Sequence, residues 1–168
     1  MDPRALATVI EMLEQRGYNV EQDDNIIVGT RKTPTPDRIV VFYNPGTIAI
    51  AHIKEYASIM DKTDFRHAIV IYKDGVTPQA GKTIEILSEK EIEVFQECKL
   101  LYNITKHRLV PKHRCLSSFE ITMFKRKYGV KIPVMLQADA VSRFYNFKAG
   151  DIIEITRIDG IVVYRIVK

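Results

Sequence analysis

The sequence predicts two small domains, an α/β domain over residues 1–102 and a small α+β domain over residues 103–168. In the first part, short β-rich apolar runs alternate with helical patterns, which is typical of βαβ units. In the second part, a capped helix is followed by two apolar segments joined by a tight turn. The charge balance changes at the same boundary, because residues 1–102 hold 12 Lys and Arg against 16 Asp and Glu, whereas residues 103–168 hold 13 against 5.

The first element is an amphipathic helix over residues 4–16. Its apolar residues recur at helical spacing, namely Leu6, Val9, Ile10 and Leu13. Gly17 follows and can adopt the left-handed conformation that ends a helix. The apolar face of this helix needs a partner surface.

Three short apolar runs then predict strands. They cover residues 39–43, residues 68–72 and, more weakly, residues 92–95. Pro34 and Pro36 break the chain before the first run. Helical patterns over about residues 51–60 and 79–87 separate the runs, so we expect a βαβ layout with strands that are at least partly parallel.

The second domain has its own local signals. Ser117 followed by Glu120 is a capping box, and Gly129 ends the helix predicted over residues 118–128. Asp139 caps a shorter helix that reaches about Tyr145. The pair at residues 159–160, Asp and Gly, predicts a tight hairpin between strands at residues 152–155 and 161–167.

Composition limits the class of protein. The chain is 46% hydrophobic and 27% charged, which is ordinary for a globular protein. It shows neither a secretory h-region nor an apolar run long enough to span a membrane, so we expect no membrane contact and an intracellular setting. Cys98 and Cys115 are the two cysteines, and we expect two buried free thiols.

Catalytic and metal-binding patterns are weak. Asp37, Glu97 and Lys99 faintly resemble the two acids and the lysine with which many nucleases hold a divalent metal and a water, but their spacing is far longer than usual. Such an activity would need the three side chains to converge. Four possible zinc ligands lack the tight pairs of structural zinc sites; these are Cys98, His107, His113 and Cys115. We therefore predict neither a catalytic residue nor a metal or cofactor.

An ordered string of motifs resembles one family, the small assembly subunit of multisubunit RNA polymerases. In the second domain the matching residues are Asn103, Ile104, Thr105, His107, Leu109, Val110, Pro111, His113, Asp139, Val141, Arg143, Lys148, Gly150, Asp151, Tyr164 and Arg165. In the first domain they are Glu11, Met12, Leu13, Arg16, Gly17, Tyr18, Val41, Phe42, Thr77, Pro78 and Ala80. The archaeal subunit lacks the first domain. The chain therefore resembles the eukaryotic form, the fifth-largest subunit, or a form carried by a large DNA virus.

The chain departs from the family pattern at a few positions. Val134 replaces an arginine, Ala140 a proline and Asn146 a common glycine, and the turn before the last strand is shortened to residues 159–160. These changes indicate a diverged member. They affect the contacts of that surface rather than the fold.

The resemblance implies a noncatalytic polymerase subunit, present as one copy per complex. Residues 1–102 would be a jaw domain, with a nuclease-like layout but no convincing active site, that lies along downstream duplex DNA. Residues 103–168 would be an assembly domain that docks on the largest subunit and meets other core subunits. The implied subunit-interface residues are His107, Leu109, Val110, Pro111, His113, Arg143, Tyr164 and Arg165.

The implied DNA contact is the helix start at Thr77, Pro78 and Gln79, where backbone amides and a hydroxyl can bind phosphate without net positive charge. The same residues also fit a purely structural helix cap. Two alternatives stay open: a stand-alone DNA-binding module that uses the basic second domain, and a metal-dependent nuclease. The resemblance implies a nuclear location for a cellular protein, and the virion or host cytoplasm for a viral one.

Overall fold

The computed structural model describes residues 1–23, 26–32, 36–87, 89–129 and 131–168. They form two compact units, Met1–Tyr102 and Asn103–Lys168, each with its own mixed sheet. Pro34, one of the two prolines expected to break the chain before the first apolar run, lies outside the described residues.

The first unit is an α/β fold around a five-stranded sheet. Its elements in chain order are α1 (Pro3–Gln15), β1 (Asn19–Asp23), β2 (Ile26–Arg31), β3 (Asp37–Asn44), α2 (Ile50–Thr63), β4 (His67–Tyr72), α3 (Pro78–Ile86) and β5 (Glu91–Gln96). The sheet order follows the sequence order. Strands β1 to β3 form an antiparallel meander, and β3, β4 and β5 are parallel.

The helices and the three parallel strands confirm the predictions from hydrophobic patterning. Helix α1 is capped by Asp2, whose carboxylate accepts from the Arg4 amide, and it ends before Gly17 at a φ of 85°. Strands β1 and β2 were not predicted. In β1 the residues are mostly polar, and in β2 Gly29 interrupts the β-branched run.

Gly29 is required by close packing. A Cβ atom at this position would lie 2.6 Å from Cγ2 of Ile39 and 3.1 Å from Cβ of Tyr18. Any side chain there would push β2 away from its neighbours. Gly29 thus has two effects: it interrupts the apolar pattern by which β2 could have been predicted, and it allows β2 to pack closely against its neighbours.

The core of the first unit lies on both faces of the sheet. In β4 the first five residues are all buried, which is typical of a central parallel strand covered on both sides. One face packs against α2 and α3 through Ile48, Ile53, Val70 and Ala80. The buried residues of α1 are Ala5, Thr8, Val9, Met12 and Leu13, so its buried stripe is shifted by part of a turn from the predicted one.

A buried ionic cluster joins α1 to the sheet. The guanidinium of Arg16 donates to both oxygens of Glu93, at 2.6 and 2.9 Å, and the side chains are only 4% and 14% exposed. His67 Nε2 lies 2.9 Å from the same carboxylate. Burial alone would raise the pKa of Glu93, but the hydrogen bonds and charges of His67 and Arg16 outweigh it and hold this pKa below its usual range.

A second set of polar contacts continues from this cluster. The hydroxyl of Tyr18 donates to Asp37, and Arg31 donates to the same carboxylate oxygen at 3.0 Å. Burial raises the pKa of Tyr18, and the Asp37 carboxylate raises it further. The meander and the parallel strands are thus linked by charges that are paired within the unit.

The second unit is a small α+β fold. Its elements are β6 (Lys112–Cys115), α4 (Ser118–Tyr128), β7 (Val134–Met135), α5 (Ala140–Tyr145), β8 (Ile152–Thr156) and β9 (Val162–Val167). The sheet order is β6-β8-β9-β7, with β7 parallel to β9 and the other pairs antiparallel. Both helices and the β8–β9 hairpin confirm the sequence prediction, with Gly160 at a φ of 80°.

The sheet of the second unit has helices on both faces. Ile153, Ile155 and Val167 pack with Val141 of α5, and Ile152 packs with Leu116 and with Phe124 of α4. Because side chains alternate along a strand, odd-numbered residues of β8 face α5 and even-numbered residues face α4. This sidedness decides which surface side chains can share a site.

Helix α4 begins with the predicted capping box. Ser117 Oγ accepts from the Glu120 amide, and the Glu120 carboxylate accepts from the Ser117 amide at 2.8 Å. Arg114 donates to the same carboxylate at 2.8 Å. The Ser117 hydrogen bonds and the guanidinium of Arg114 lower the pKa of Glu120 to about 2.

Candidate functional site

The helix start predicted to contact DNA is a regular N-cap. Thr77 Oγ1 accepts from the Ala80 amide at 3.2 Å, and Pro78 occupies the first turn of α3. Thr77 is half-buried, whereas Pro78 and Gln79 are exposed. The Thr77 amide donates to the Ile48 carbonyl at 3.0 Å, which ties the cap to the loop before α2.

These bonds narrow what the helix start can offer a phosphate. The amides of Thr77 and Ala80 are used inside the protein, and Pro78 carries no N–H. The remaining donors are the backbone amide and the carboxamide of Gln79. The Thr77 hydroxyl is a further donor, because its oxygen accepts from the Ala80 amide while its proton can still be donated. The donors that this helix start presents to solvent therefore belong to Gln79 and Thr77 rather than to a row of backbone amides.

In the second unit, the segment before β6 forms a compact turn. The Asn103 carboxamide accepts from the Thr105 amide at 2.9 Å, and His107 Nδ1 accepts from the Leu109 amide at 3.2 Å. The His107 carbonyl accepts from the Val110 amide. These local bonds hold Leu109 outward, where its side chain is 70% exposed.

His113 is fixed in one tautomer. Its Nδ1 lies 2.8 Å from the Pro111 carbonyl, which can only accept, so Nδ1 carries the proton and Nε2 is an acceptor when the ring is neutral. Burial lowers the pKa of His113 and the nearby Arg165 charge adds to this, whereas the Pro111 bond and Asp139 oppose it. Together these influences keep the pKa of the imidazole below its ordinary value.

Five of the predicted interface residues line one cavity of about 270 Å³. They are Leu109, Val110, Pro111, His113 and Arg165. Strand alternation explains the grouping, because His113, Ile155 and Val163 are cross-strand partners on the α5 face of the sheet. The lining of this cavity is about equally polar and apolar, and its charged residues are Arg157, Arg165 and Asp139.

The other predicted interface residues lie elsewhere in this unit. Tyr164 is on the α4 face, the opposite side of the sheet, where its hydroxyl donates to Glu154 at 3.2 Å. Arg143 is half-buried in the last turn of α5, and His107 lies at the end of the turn that presents Leu109. The two neighbours in the matched pair Tyr164 and Arg165 thus belong to two different surfaces.

Sequence reasoning missed several residues of this cavity. Asp139, Ile155 and Val163 line it, although only the helix-capping role of Asp139 was derived from the sequence. A register alignment of β6, β8 and β9 could have found the two aliphatic residues, since they alternate in phase with His113. That register depends on a pairing between distant strands.

The residues of the nuclease alternative do not converge. Asp37 is the first residue of β3, whereas Glu97 follows β5 at the level of the last residue of β3, Asn44. Seven residues of strand separate the two levels, or about 23 Å at the rise of a β-strand. Asp37 binds Tyr18 and Arg31, and Glu97 accepts from the Asp2 amide at 2.6 Å and from Tyr43.

Cys98 and Cys115 are free thiols, but both are exposed, so the expectation that they are buried is wrong. In the described ranges, no group of three or more His, Cys, Asp or Glu side chains is placed to hold a metal ion. None of their helices has the length and apolar character needed to cross a bilayer.

The chain is similar to known polymerase subunits. The profile described as "RNA polymerase Rpb5, C-terminal domain" matches residues 102–167. The DNA-directed RNA polymerases I, II, and III subunit rpabc1 of Dictyostelium discoideum is 33% identical, over 89% of this chain and 86% of the relative. The corresponding subunit RPABC1 of Caenorhabditis elegans is 28% identical over 92% and 87%. Subunit 5A of RNA polymerase V from Arabidopsis thaliana is 29% identical over 87% and 77%.

Solved structures give a weaker likeness. The modification-dependent restriction endonuclease AspBHI matches 58% of this chain and 29% of its own length, with 8% identity and a TM-score of 0.38. The MspJI restriction endonuclease in complex with a 27-mer oligonucleotide matches 76% and 30%, with 12% identity and a TM-score of 0.39.

Proposed function

The chain belongs to the Rpb5 family of RNA polymerase subunits, and on this premise we propose that it is a noncatalytic scaffold in a DNA-dependent RNA polymerase. Residues 103–168 dock on the largest subunit, and residues 1–102 act as a jaw that helps to hold downstream duplex DNA. Catalytic metal chemistry belongs to other subunits. In a cell the site of action is the nucleus.

The observation that carries the docking proposal is the α5-side cavity with Leu109 at its edge. A surface of mixed polar and apolar character that carries an exposed leucine and two arginines has the composition of a protein interface. When its ring is neutral, His113 adds one hydrogen-bond acceptor at Nε2. The exposed side chain of Leu109 beside this cavity favours a protein partner over nucleic acid.

The jaw proposal depends on the helix start of α3. Gln79 is exposed at the second position of the helix, where its amide, its carboxamide and the Thr77 hydroxyl can donate to one phosphate. Such a contact positions a duplex and reads no base sequence. It also explains how a unit of net charge −4 could approach DNA locally.

The first experiment is affinity purification of the tagged full-length chain from its native cells or virions, with mass spectrometry of stoichiometric partners. We expect the two large polymerase subunits. The test variant is Arg165→Glu on the cavity rim, and the matched control is Arg126→Glu, which makes the same charge change on α4. Loss of the large subunits with Arg165→Glu alone supports the proposal; a lone monomer with the unaltered chain at low salt overturns it.

The jaw is tested in the assembled polymerase with Gln79→Glu. A glutamate near the start of α3 interacts favourably with the helix dipole, so the fold is not weakened, yet the charge repels phosphate. We expect downstream duplex DNA to dissociate from the polymerase about fivefold faster, which corresponds to about 1 kcal/mol of binding free energy. Ile86→Glu, at the exposed far end of the same helix, is the control.

The isolated chain separates the remaining alternative. A scaffold that acts only within the polymerase binds duplex weakly by itself. Tight binding with a steep salt dependence would favour a stand-alone DNA-binding module that uses the basic second unit. Equal effects of Gln79→Glu and Ile86→Glu in the polymerase would remove Gln79 from the DNA contact.

A further inference from the structure

The α4 side of the second sheet carries a second groove. Its cavity is about 360 Å³ and lies between α4 and the even-numbered residues of the sheet. Strand pairing sets Arg114, Glu154 and Tyr164 side by side, one residue out of phase with His113, Ile155 and Val163 of the other cavity. The two surfaces are therefore on opposite faces and have no lining residue in common.

The floor of the groove is rigid and aromatic. Phe124 is buried, and its ring centroid lies 4.6 Å from that of Tyr164 and 4.9 Å from that of Tyr128. Phe119 and Met123, one helical turn apart, stand at the wall with 76% and 50% of their surface exposed. Large apolar side chains of this kind on a packed floor are typical of a surface that a partner covers.

The charges around the groove are unequal at its two ends. Near the start of α4, Arg114 donates to Glu120 at 2.8 Å and to Glu154 at 3.0 Å, so these carboxylates are engaged within the protein. At the end of α4, Arg126 and Lys127 line the groove, and Lys127 lies 4.9 Å from the centre of the Tyr128 ring. A ligand therefore meets an apolar surface with positive charge at one end.

We propose that this groove binds an amphipathic helix of a second protein, with leucine or aromatic side chains on one face and Asp or Glu beside them. The 11 residues of α4 span about 16 Å, which matches about three turns of a helix laid along it. Apolar side chains at positions i, i+4 and i+7 would pack on Phe119, Met123 and Tyr164. The acidic residues would pair with Arg126 and Lys127.

The placement gives the second unit two binding faces. The α5 face is free to dock on a polymerase subunit while the α4 face holds the acidic helix of a regulatory partner. The groove proposal itself does not depend on the docking proposal, because it rests on the lining and charges of the α4 face alone. The partner is defined by its chemistry, an acidic amphipathic helix.

The test is fluorescence anisotropy with the full-length chain and three synthetic helices. The first has leucines at i, i+4 and i+7 and glutamates at its other exposed positions; the second replaces the glutamates with lysines, and the third replaces the leucines with alanines. We expect saturable binding of the first peptide alone. Met123→Glu should weaken it at least about tenfold, and the double variant Arg126→Glu with Lys127→Glu should reverse the preference toward lysines.

The control variant is Leu136→Glu, an exposed leucine of the same unit that lines neither cavity and should bind normally. Equal binding of the acidic and basic peptides, or binding of the alanine peptide, would overturn the proposal. Self-association of the chain that Met123→Glu abolishes would assign the groove to a second copy. Loss of the large polymerase subunits with Met123→Glu would assign it to assembly and overturn the two-face arrangement.

Discussion

The two units of this chain differ in how deeply their ion pairs and their large apolar side chains are buried. In Met1–Tyr102, Arg16, Glu93 and His67 are withdrawn from water and paired. In Asn103–Lys168, Arg114 and its glutamates pair at the surface. A buried ion pair therefore joins α1 to the sheet in the first unit, whereas the ion pairs of Arg114 in the second unit stay in contact with water.

Apolar exposure shows the same contrast. Within the described residues, five large exposed apolar side chains lie in the first unit, namely Met1, Ile26, Ile59, Ile86 and Tyr102. Nine lie in the smaller second unit, namely Leu109, Phe119, Met123, Tyr128, Val134, Leu136, Ile158, Ile161 and Val162. The shorter unit therefore exposes more large apolar side chains than the longer one does, as the proposed docking on another subunit requires.

The largest expected effect tests the internal pairing of the first unit. Glu93→Ala removes the common partner of Arg16 and His67 and leaves buried charge uncompensated, so we expect the free energy of unfolding to fall by about 3–5 kcal/mol. Urea titration followed by circular dichroism measures it. Glu91→Ala, two residues along β5 and more exposed, should cost much less; equal costs would show that the Arg16 cluster does not stabilise this unit.

The next test asks whether the exposed apolar residues of the second unit bind a partner rather than stabilise the fold. Leu109→Glu changes a side chain that is mostly in water, so the free energy of unfolding should change by less than about 0.5 kcal/mol. Recovery of the large polymerase subunits should fall at least about tenfold. The control is Ile86→Glu, which changes the most exposed apolar side chain of the first unit. An equal loss of the large polymerase subunits with this variant would show that the two units do not differ in this respect.

A smaller effect compares the helix caps of the two units. Ser117→Ala and Thr77→Ala each remove a hydroxyl that accepts from a backbone amide, and each should cost about 1 kcal/mol of unfolding free energy. Ser118→Ala, which lies one residue inside α4, should be nearly neutral. Thermal unfolding of the three variants provides the measurement, and a neutral Ser117→Ala would mean that the Glu120 carboxylate alone holds the helix start.

The smallest effect concerns His113. Its pKa is lowered in the folded protein, so its contribution to stability is complete above the ordinary value of about 6.5 and is lost as pH falls below it. His113→Asn retains a donor to the Pro111 carbonyl but does not titrate. We expect the unaltered protein to lose stability relative to this variant between pH 7 and pH 5. A parallel loss in both proteins would show that the His113 imidazole is not the cause of the pH dependence. An NMR titration of the ring gives the pKa directly.

Local signals predicted much of the fold. The capping box at Ser117, the proline and threonine that start α3 and the turn at Gly160 are each decided by a few neighbouring residues, and the structure contains all of them. Strands β1, β6 and β7 gave no comparable signal. They are polar or very short, and they exist because neighbouring strands supply their hydrogen bonds.

The sequence by itself determined the helices, the parallel strands and, through its ordered motifs, the polymerase-subunit family. Only the tertiary structure decided that Arg165 lies beside His113 while Tyr164 lies on the other face, and that Arg16 reaches Glu93 across 77 residues. The physical reason is the range of the interactions. Helix caps and periodic apolar faces depend on residues that are close in the sequence. Strand register and buried ion pairs form only when distant segments are brought together.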